Sequence, residues 1–323
     1  MAGTNAIARI RGLGIGEDNT TFGTYQQPAA GQGLLCAEGM SIVETLAVLE
    51  AQAARQTLYA NASERVIGRK GWTGTLPFTV PLRSSGFKLL LKQAFGTAGG
   101  SGPFIFVKAT SNLTAGQCLQ MHTGDGVNQI SASGGRPKTL KFSVSPAGLL
   151  KCDATFVGST YVVGALAALP AVTLHTEPYW TWRRAAVSIN GAASLFSGFD
   201  LDIDLGVADD DASATTLGSQ VATSLPFNGN IAVKGNLTRL YISDGTAESA
   251  FDGYARTGAE GNVTVTFTSG SDVIAFLIEC VFGKPTISGS GLITETIPFE
   301  CRQVVGALSL TNGPFAISVT DGA

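Results

Sequence analysis

The sequence feature that most constrains the fold is a strictly alternating run, Phe199–Leu205, in which apolar and acidic residues take turns. Side chains two positions apart project from the same face of a β-strand. The apolar residues of the run therefore share one face, while Asp200, Asp202 and Asp204 share the other. This pattern predicts a strand with one face on a hydrophobic core and the other face wet and acidic.

The stretch that begins with this strand, 197–257, has an earlier counterpart at 39–96. Each stretch holds a predicted strand, a connecting segment, a second strand and a short helix. The offset between the halves is 159 residues at the first strand (198 − 39) and 143 at the last (291 − 148). A longer loop in the first half, Gly99–Gly135, accounts for the smaller value. The shared order predicts an internal duplication, although glycine–strand–glycine spacing also recurs by chance in β-rich chains.

The composition indicates a mainly β protein that is covered by partners. Glycine is abundant at 41 residues, and Val, Ile, Thr and Phe recur in short runs, which favours strands and turns. Charged residues are 14% of the 323, against about 25% in ordinary soluble domains. Because interface cores are depleted in charge, neighbouring subunits are expected to cover much of this surface.

The pattern of elements divides the chain into four parts. These are an N-terminal arm over 1–38, a first domain over 39–160, a linker over 161–178 and a second domain over 179–323. The arm is expected to be flexible or ordered by a partner, because it is rich in glycine and weakly patterned.

Several local signals are specific enough to test. Apolar residues at helical spacing predict a helix over Gly86–Phe95, with Ser84 or Ser85 as its N-cap. A second helix is expected at Glu248–Tyr254. The Ala-rich segment Val48–Leu58 also has helical character.

Turn signals mark the strands. Pro146–Gly148 is expected to join two strands in a hairpin, and Asn190-Gly191 is a strong hairpin turn. Gly134-Gly135 is expected to be a turn as well. Tyr179–Ile189 is predicted to be one strand, which places Trp180 and Trp182 on a shared face.

The sequence offers little for catalysis. The two histidines, His122 and His175, lack the spacing of a triad or a zinc site. The five cysteines include no C-x-x-C pair and are expected to be buried thiols of a protein made in the cytosol. No secretory signal or membrane span is recognised. No enzyme, metal or cofactor is predicted, and the absence of a basic run argues against phosphate-gripping nucleic-acid binding.

The acidic and aromatic residues have competing interpretations. Asp200, Asp202 and Asp204 fit a solvated face better than a metal site, since the glycine and distant glutamate of a calcium loop are missing. Trp180 and Trp182 are followed by Arg183 and could stack on a sugar or base, but a core or subunit-contact role is preferred.

Residues in both halves resemble the tail tube, or major tail, proteins of tailed bacteriophages. The resemblance covers about 39–305 and consists of glycine and apolar patterns rather than an invariant signature. The motifs that carry it are Leu217-Gly-Ser, Phe227-Asn-Gly-Asn, Ala250-Phe-Asp-Gly-Tyr254, Gly71-Trp-Thr-Gly-Thr-Leu76, Leu89-Leu-Leu-Lys-Gln-Ala-Phe-Gly96 and Ser143-Val-Ser-Pro-Ala-Gly148.

The resemblance implies a mainly β fold with two tandem β-sandwich or half-barrel domains, each with a short flanking helix. Members of that family form rings, usually hexameric, that stack into a hollow tube for the genome. A chain with two tube domains would close a pseudo-sixfold ring as a homotrimer. Asp200, Asp202 and Asp204 are then expected to line the channel and repel DNA, and Trp180 and Trp182 to contact a neighbouring subunit.

The implied partners are further copies of the chain, the tape measure protein, the tail terminator and distal tail proteins. Genomic DNA would pass without sequence-specific binding, in a virion whose tail protein is made in the host cytoplasm. The alternatives are a β-sandwich carbohydrate-binding or adhesin module, which needs an exposed aromatic platform, another minor tail module, or a hydrolase with paired carboxylates such as Asp200 and Glu177.

Overall fold

The fold is known from a computed structural model, which describes residues 12–18, 21–29, 32–35, 40–50, 65–95, 104–106, 116–122, 128–165, 178–208, 221–226, 231–240, 258, 260–289, 293–302 and 314–322. The strands are β1 Gly12–Glu17, β2 Gly33–Leu35, β3 Ser41–Glu50, β4 Arg65–Thr79, β5 Phe104–Phe106, β6 Gln117–His122, β7 Asn128–Val144, β8 Lys151–Gly158, β9 Thr160–Ala165, β10 Ala185–Ile189, β11 Ala192–Ser194, β12 Gly198–Asp204, β13 Ala232–Leu240, β14 Glu260–Ser269, β15 Asp272–Phe282, β16 Thr286–Ser288, β17 Thr294–Cys301 and β18 Phe315–Thr320. The helices are α1 Ser85–Phe95 and a 3-10 turn, Trp182–Arg184.

The strands form two connected sheets, and all the pairings between these strands are antiparallel. The larger has the neighbour order β3–β4–β8–β7–β12–β13–β17–β15–β14–β10–β11. The smaller has the order β2–β1–β6–β7–β9. The mainly β prediction is confirmed, and the pairing of β7 with β12 joins the two predicted halves. The division into two domains stays a prediction.

The long strand β7 belongs to both sheets. Its first part pairs with β6 and β9, and its second part pairs with β8 and β12. Gly134 lies inside the strand with a positive φ of 62°, and a register shift follows at Pro137. The predicted turn at Gly134-Gly135 is therefore wrong. Gly134 bends a continuous strand, which passes from one sheet to the other.

The first helix and both hairpins agree with their sequence signals. Helix α1 begins after Ser84, whose Oγ accepts a hydrogen bond from the amide of Phe87 at 3.2 Å, as an N-cap does. The hairpin between β7 and β8 turns at Ala147 (φ 59°). Asn190 and Gly191 both have positive φ and join β10 to β11. The second predicted helix, Glu248–Tyr254, lies outside the described residues.

The predicted helical character of Val48–Leu58 is wrong where the residues are described. Val48 to Glu50 continue β3, because they pair in register with Ile67 to Arg65 of β4. Tertiary pairing thus overrides a local helix preference. Residues 51–58 of that segment lie outside the described part.

The described part of the N-terminal segment packs into the fold. Leu13, Ile15 and Leu34 have no exposed surface. Asp18 is buried, and its carboxylate accepts hydrogen bonds from the amides of Gly23 (2.7 Å), Gly116 (3.0 Å) and Gly134 (3.1 Å). The expectation of a flexible or partner-ordered arm is therefore wrong for residues 12–18 and 32–35. Strand β2 pairs with β1, β1 pairs with β6, and the Asp18 carboxylate binds the amides of Gly116 and Gly134.

The hydrophobic core runs through both halves of the chain. The ring of Phe142 on β7 lies 6.3 Å from Phe87 of α1 and 5.0 Å from Phe276 of β15. Phe276 in turn lies 5.5 Å from Phe199 of β12. Ring separations in this range are typical of packed aromatic clusters. The core thus fixes the apolar face of β12 and leaves the opposite face of its sheet to solvent.

Candidate assembly surfaces

The alternating run forms β12 with the predicted two faces. Phe199, Leu201 and Ile203 are buried. Asp202 and Asp204 are exposed, while Asp200 is half-buried. The predicted half-buried strand is confirmed, and its acidic residues lie on the solvent side of β12.

The structure adds a row of alternating charge that crosses five strands through Asp202. In register, Asp153 of β8 pairs with Lys141 of β7, Lys141 with Asp202, Asp202 with Lys234 of β13, and Lys234 with Glu300 of β17. Lys141 Nζ lies 3.4 Å from Asp202 Oδ1, and Lys234 Nζ lies 3.8 Å from Glu300 Oε1. Directly opposite residues share a face, so lysines interrupt the acidic surface at regular intervals.

The electrostatics of Asp200 reflect this setting. Partial burial raises the pKa of its carboxyl, Lys141 lowers it, and the negative charge of Asp202 raises it again, with a net increase. Asp204 is fixed differently, since its Oδ1 accepts a hydrogen bond from the amide of Gly206 at 3.0 Å. The three aspartates thus share a face but differ in surroundings, and only the register identifies Lys141 and Lys234 as part of it.

The two tryptophans do not share a strand face. Trp180 precedes the 3-10 turn and is 2% exposed, with its ring 6.5 Å from that of Phe267. Trp182 lies in the turn and is half-buried. The prediction of a single strand over Tyr179–Ile189 is wrong for its first half, because the chain coils before β10 begins. Trp180 is a core residue of its own chain, so a subunit-contact role stays a prediction for Trp182 alone.

An open groove of about 470 Å³ lies beside Trp182. Its walls include Val187 and Val265 of neighbouring strands, and Leu195, which is 89% exposed, lies at its border. Such an apolar depression next to exposed leucine is typical of a protein contact rather than a small-molecule site.

At the opposite end of the larger sheet, within the described residues, β3 and β4 continue as a two-stranded ribbon beyond the ladder between β4 and β8. We call residues 45–50 of β3 and 65–71 of β4 the β3–β4 arm. In the arm, β4 pairs with β3 and has one isolated bridge, from Lys70 to Val221, whereas β8 pairs with β4 only from Trp72 onward. Val43 at the base is 55% exposed and Leu46 is 50% exposed. In the sequence this region is an apolar run beside a glycine-rich strand. That pattern does not predict that its apolar side chains are exposed to solvent.

The described residues offer no metal-binding cluster. No group of three or more His, Cys, Asp and Glu side chains in them is arranged to hold a metal ion. No helix described in the structure has the length and apolar character needed to cross a membrane. None of the large hydrophobic side chains that are exposed in the described part is aromatic, which argues against a carbohydrate-binding platform there. His175 and Glu177 lie outside that part, as does the side chain of His122.

Comparison with known proteins agrees with this picture of a β-rich chain. No curated protein matches the chain. A family model described as phage tail tube protein matches residues 11–301. That match includes the alternating strand, the charged row and the β3–β4 arm. On this evidence the chain belongs to the phage tail tube protein family.

Proposed function

We propose that this structural component of the virion tail assembles with copies of itself into rings, and that the rings stack into the hollow tube that delivers DNA into the host. The observation that carries the proposal is the β3–β4 arm. An isolated two-stranded ribbon is marginally stable in water. Within the described residues β3 pairs with β4 alone, and an edge strand of this kind is able to add a strand from another chain. Exposed Val43 and Leu46 add apolar surface that a neighbouring subunit would cover.

The neighbour order of the strands supports an internal duplication and a way to close the ring. The order β3–β4–β8–β7 in the first half recurs as β12–β13–β17–β15 in the second. Strand β12, the counterpart of β3, pairs with β7 of its own chain. Strand β15, the counterpart of β7, is already paired with β14 and β17, so β3 is proposed to add to another edge of the second half of the next subunit. Three chains would then form a pseudo-sixfold ring as a homotrimer.

The charged face of β12 is proposed to line the channel. A lumen must not bind the phosphates of passing DNA strongly, since each Lys or Arg contact adds salt-dependent affinity. Lys141 and Lys234 are directly opposite carboxylates, so DNA would have to displace Asp202 or Glu300 to reach them. With Asp200 and Asp204 the face keeps an acidic excess. Replacing Asp202 with Lys is expected to slow DNA delivery, and normal delivery would refute this assignment.

The remaining contacts are assigned by exposure. Trp182 and the groove beside it are proposed to contact a neighbouring subunit. The ends of the tube are proposed to bind the tail terminator and the distal tail proteins, and the channel to hold the tape measure protein before DNA passes. The chain itself would be made in the host cytoplasm and remain in the virion tail.

Electron microscopy of purified protein tests the proposal. Wild-type protein should form hollow tubes with three- or sixfold rings. The double variant Val43→Lys/Leu46→Lys should remain folded by circular dichroism but fail to form tubes. Ile287→Lys is the matched control, because Ile287 is 52% exposed on a different short strand. Tubes of normal length from the double variant, or loss of tubes in the control as well, would contradict a specific role of the arm.

A further inference from the structure

Two cysteines face each other across the short ladder that joins β15 to β17. Cys280 of β15 is directly opposite Cys301 of β17. The junction has three residue pairs and is, within the described residues, the only ladder that links β14, β15 and β18 to β17 and β13. The two thiols therefore lie in a ladder of three pairs that alone connects these two groups of described strands.

The backbone geometry identifies the kind of pair. Arg302 donates its amide hydrogen to the carbonyl of Glu279 at 3.0 Å, and Gly283 donates to Pro298 at 2.8 Å. Hydrogen-bonded and non-hydrogen-bonded pairs alternate along an antiparallel ladder, so Cys280 and Cys301 form a non-hydrogen-bonded pair. The Cα atoms of such pairs are about 4.5 Å apart and their side chains are close, a separation that a disulfide can span.

The surroundings keep both sulfurs as thiols under reducing conditions. Burial raises the pKa of Cys280 to about 12, helped by Cys301. Burial also raises the pKa of Cys301 to about 12, helped by the negative charge of Glu279. Because the thiolate is the nucleophile, oxidation of this pair is slow. Cys301 is only half-buried, and its thiol donates a hydrogen bond to the carbonyl of Pro314 at 3.3 Å, so it is the sulfur that a reagent reaches first.

We propose that Cys280 and Cys301 form a cross-strand disulfide after the protein leaves the reducing cytoplasm, by exchange with a small-molecule disulfide such as oxidised glutathione. The Cys301 thiolate attacks one glutathione sulfur and releases the other glutathione as a thiol. The Cys280 thiolate then attacks Cys301 Sγ and releases the second glutathione thiol. Both cysteine protons end on glutathione, the two cysteine sulfurs lose two electrons, and one glutathione disulfide is reduced.

The disulfide would link β15 covalently to β17 within their three-pair ladder. It closes a loop of 21 residues along the chain (301 − 280), which restricts the unfolded state. For a protein of this size, a loop of that length is expected to raise the thermal midpoint by about 5 °C. The timing of the reaction rests on the proposed place in the virion, whereas the pairing of the thiols does not.

The test uses purified, unassembled protein incubated with oxidised glutathione at pH 8.5 and then alkylated. Mass spectrometry of non-reduced digests should show one peptide pair linked through Cys280 and Cys301. Free thiols should fall from five to three, since five cysteines are present and two react. The thermal midpoint should rise by about 5 °C and return to the reduced value with dithiothreitol.

Two variants separate a specific bond from general oxidation. Cys301→Ser should remain folded, because residue 301 is half-buried, and should lose both the linked peptide and the shift in midpoint. Cys152→Ser should keep both, because the residues opposite Cys152 are Phe78 and Phe142. A folded protein that keeps five free thiols, carries only glutathione at Cys301 or links other cysteines would overturn the proposal. Alkylation of intact virions tests the timing separately: free Cys280 and Cys301 there would refute the timing but not the pairing.

Discussion

Asp272 joins three distant parts of the chain, and its replacement by Asn should weaken all of them. Its Oδ1 accepts hydrogen bonds from Arg83 Nε and from the amide of Gly322, both at 2.7 Å. Arg83 precedes α1 in the first half, Asp272 begins β15 in the second, and Gly322 is near the C-terminus. The Asp272 side chain is 8% exposed and that of Arg83 is 39% exposed.

The expected loss follows from the chemistry of the two bonds. A hydrogen bond to a charged group contributes about 1.5 to 3 kcal/mol, and a neutral one about 1 kcal/mol. Asn keeps the acceptor oxygen, so each bond loses only the charged part, and solvent screens the contribution of half-exposed Arg83. Asp272→Asn should therefore lower the free energy of unfolding by about 1 to 2 kcal/mol at pH 7.

The pH dependence provides an independent check. Burial raises the pKa of Asp272, but the hydrogen bonds from Arg83 and Gly322 and the charge of Arg83 lower it by more, so the net pKa is lowered. Its contribution is therefore complete above the ordinary carboxyl pKa, near 4, and is lost as the pH falls through the lowered value in the folded protein. The difference between wild type and Asp272→Asn should shrink below about pH 4.

Urea unfolding of unassembled protein, followed by tryptophan fluorescence at pH 7 and at low pH, measures both effects. Asp202→Asn is the matched control, because its side chain is 61% exposed and its partner Lys141 is 52% exposed; it should change stability by less than about 0.5 kcal/mol. Equal stabilities of Asp272→Asn and wild type at pH 7 would refute the reasoning. So would a difference of the same size at both pH values.

Substitutions at two further sites, each with a control, test close packing and capping. A Cβ at Gly158 would overlap the indole of Trp72, which a hydrogen bond from its Nε1 to the carbonyl of Ser133 at 3.0 Å holds in place; Gly158→Ala should cost about 1 to 3 kcal/mol. Gly164→Ala, with no atom within 4 Å of its Cβ, should be nearly neutral in the same urea titration, and equal effects would contradict the packing argument. Ser84→Ala should lower the unfolding free energy by about 1 kcal/mol and Ser84→Gly by only a few tenths; a larger loss for Gly than for Ala would exclude capping as the cause.

Local patterns predicted those elements whose stability is decided within a few residues. The helix N-cap at Ser84, the turn at Asn190-Gly191 and the two faces of Phe199–Leu205 each depend on neighbours close in sequence, and the structure has all three. The same applies to the mainly β class, which follows from the frequency of short apolar runs and turn residues.

The errors occur where distant residues decide. Val48 to Glu50 form a strand because residues 65–67 supply backbone partners, and nothing within the segment indicates them. Gly134-Gly135 has turn composition, yet the chain continues because β6, β8, β9 and β12 all pair with β7. Trp182 leaves the predicted strand face because the chain makes a 3-10 turn before β10.

The candidate lumen face shows the same division. Its aspartates were evident from the alternating pattern alone. The lysines that lie opposite acidic residues of this face were not, because Lys141 and Lys234 are 61 and 32 residues from Asp202 in the sequence (202 − 141 and 234 − 202). Pairing of Cys280 with Cys301 was likewise invisible without the register of β15 and β17.

The sequence by itself determined which side of each amphipathic strand faces the core, because side-chain direction alternates with a period of two wherever a strand forms. It also carried the pattern that identifies the family. Only the tertiary structure decided which strands are neighbours and in what register, because backbone hydrogen bonds between strands do not depend on side-chain identity. The charged row, the facing thiols and the β3–β4 arm all follow from that register.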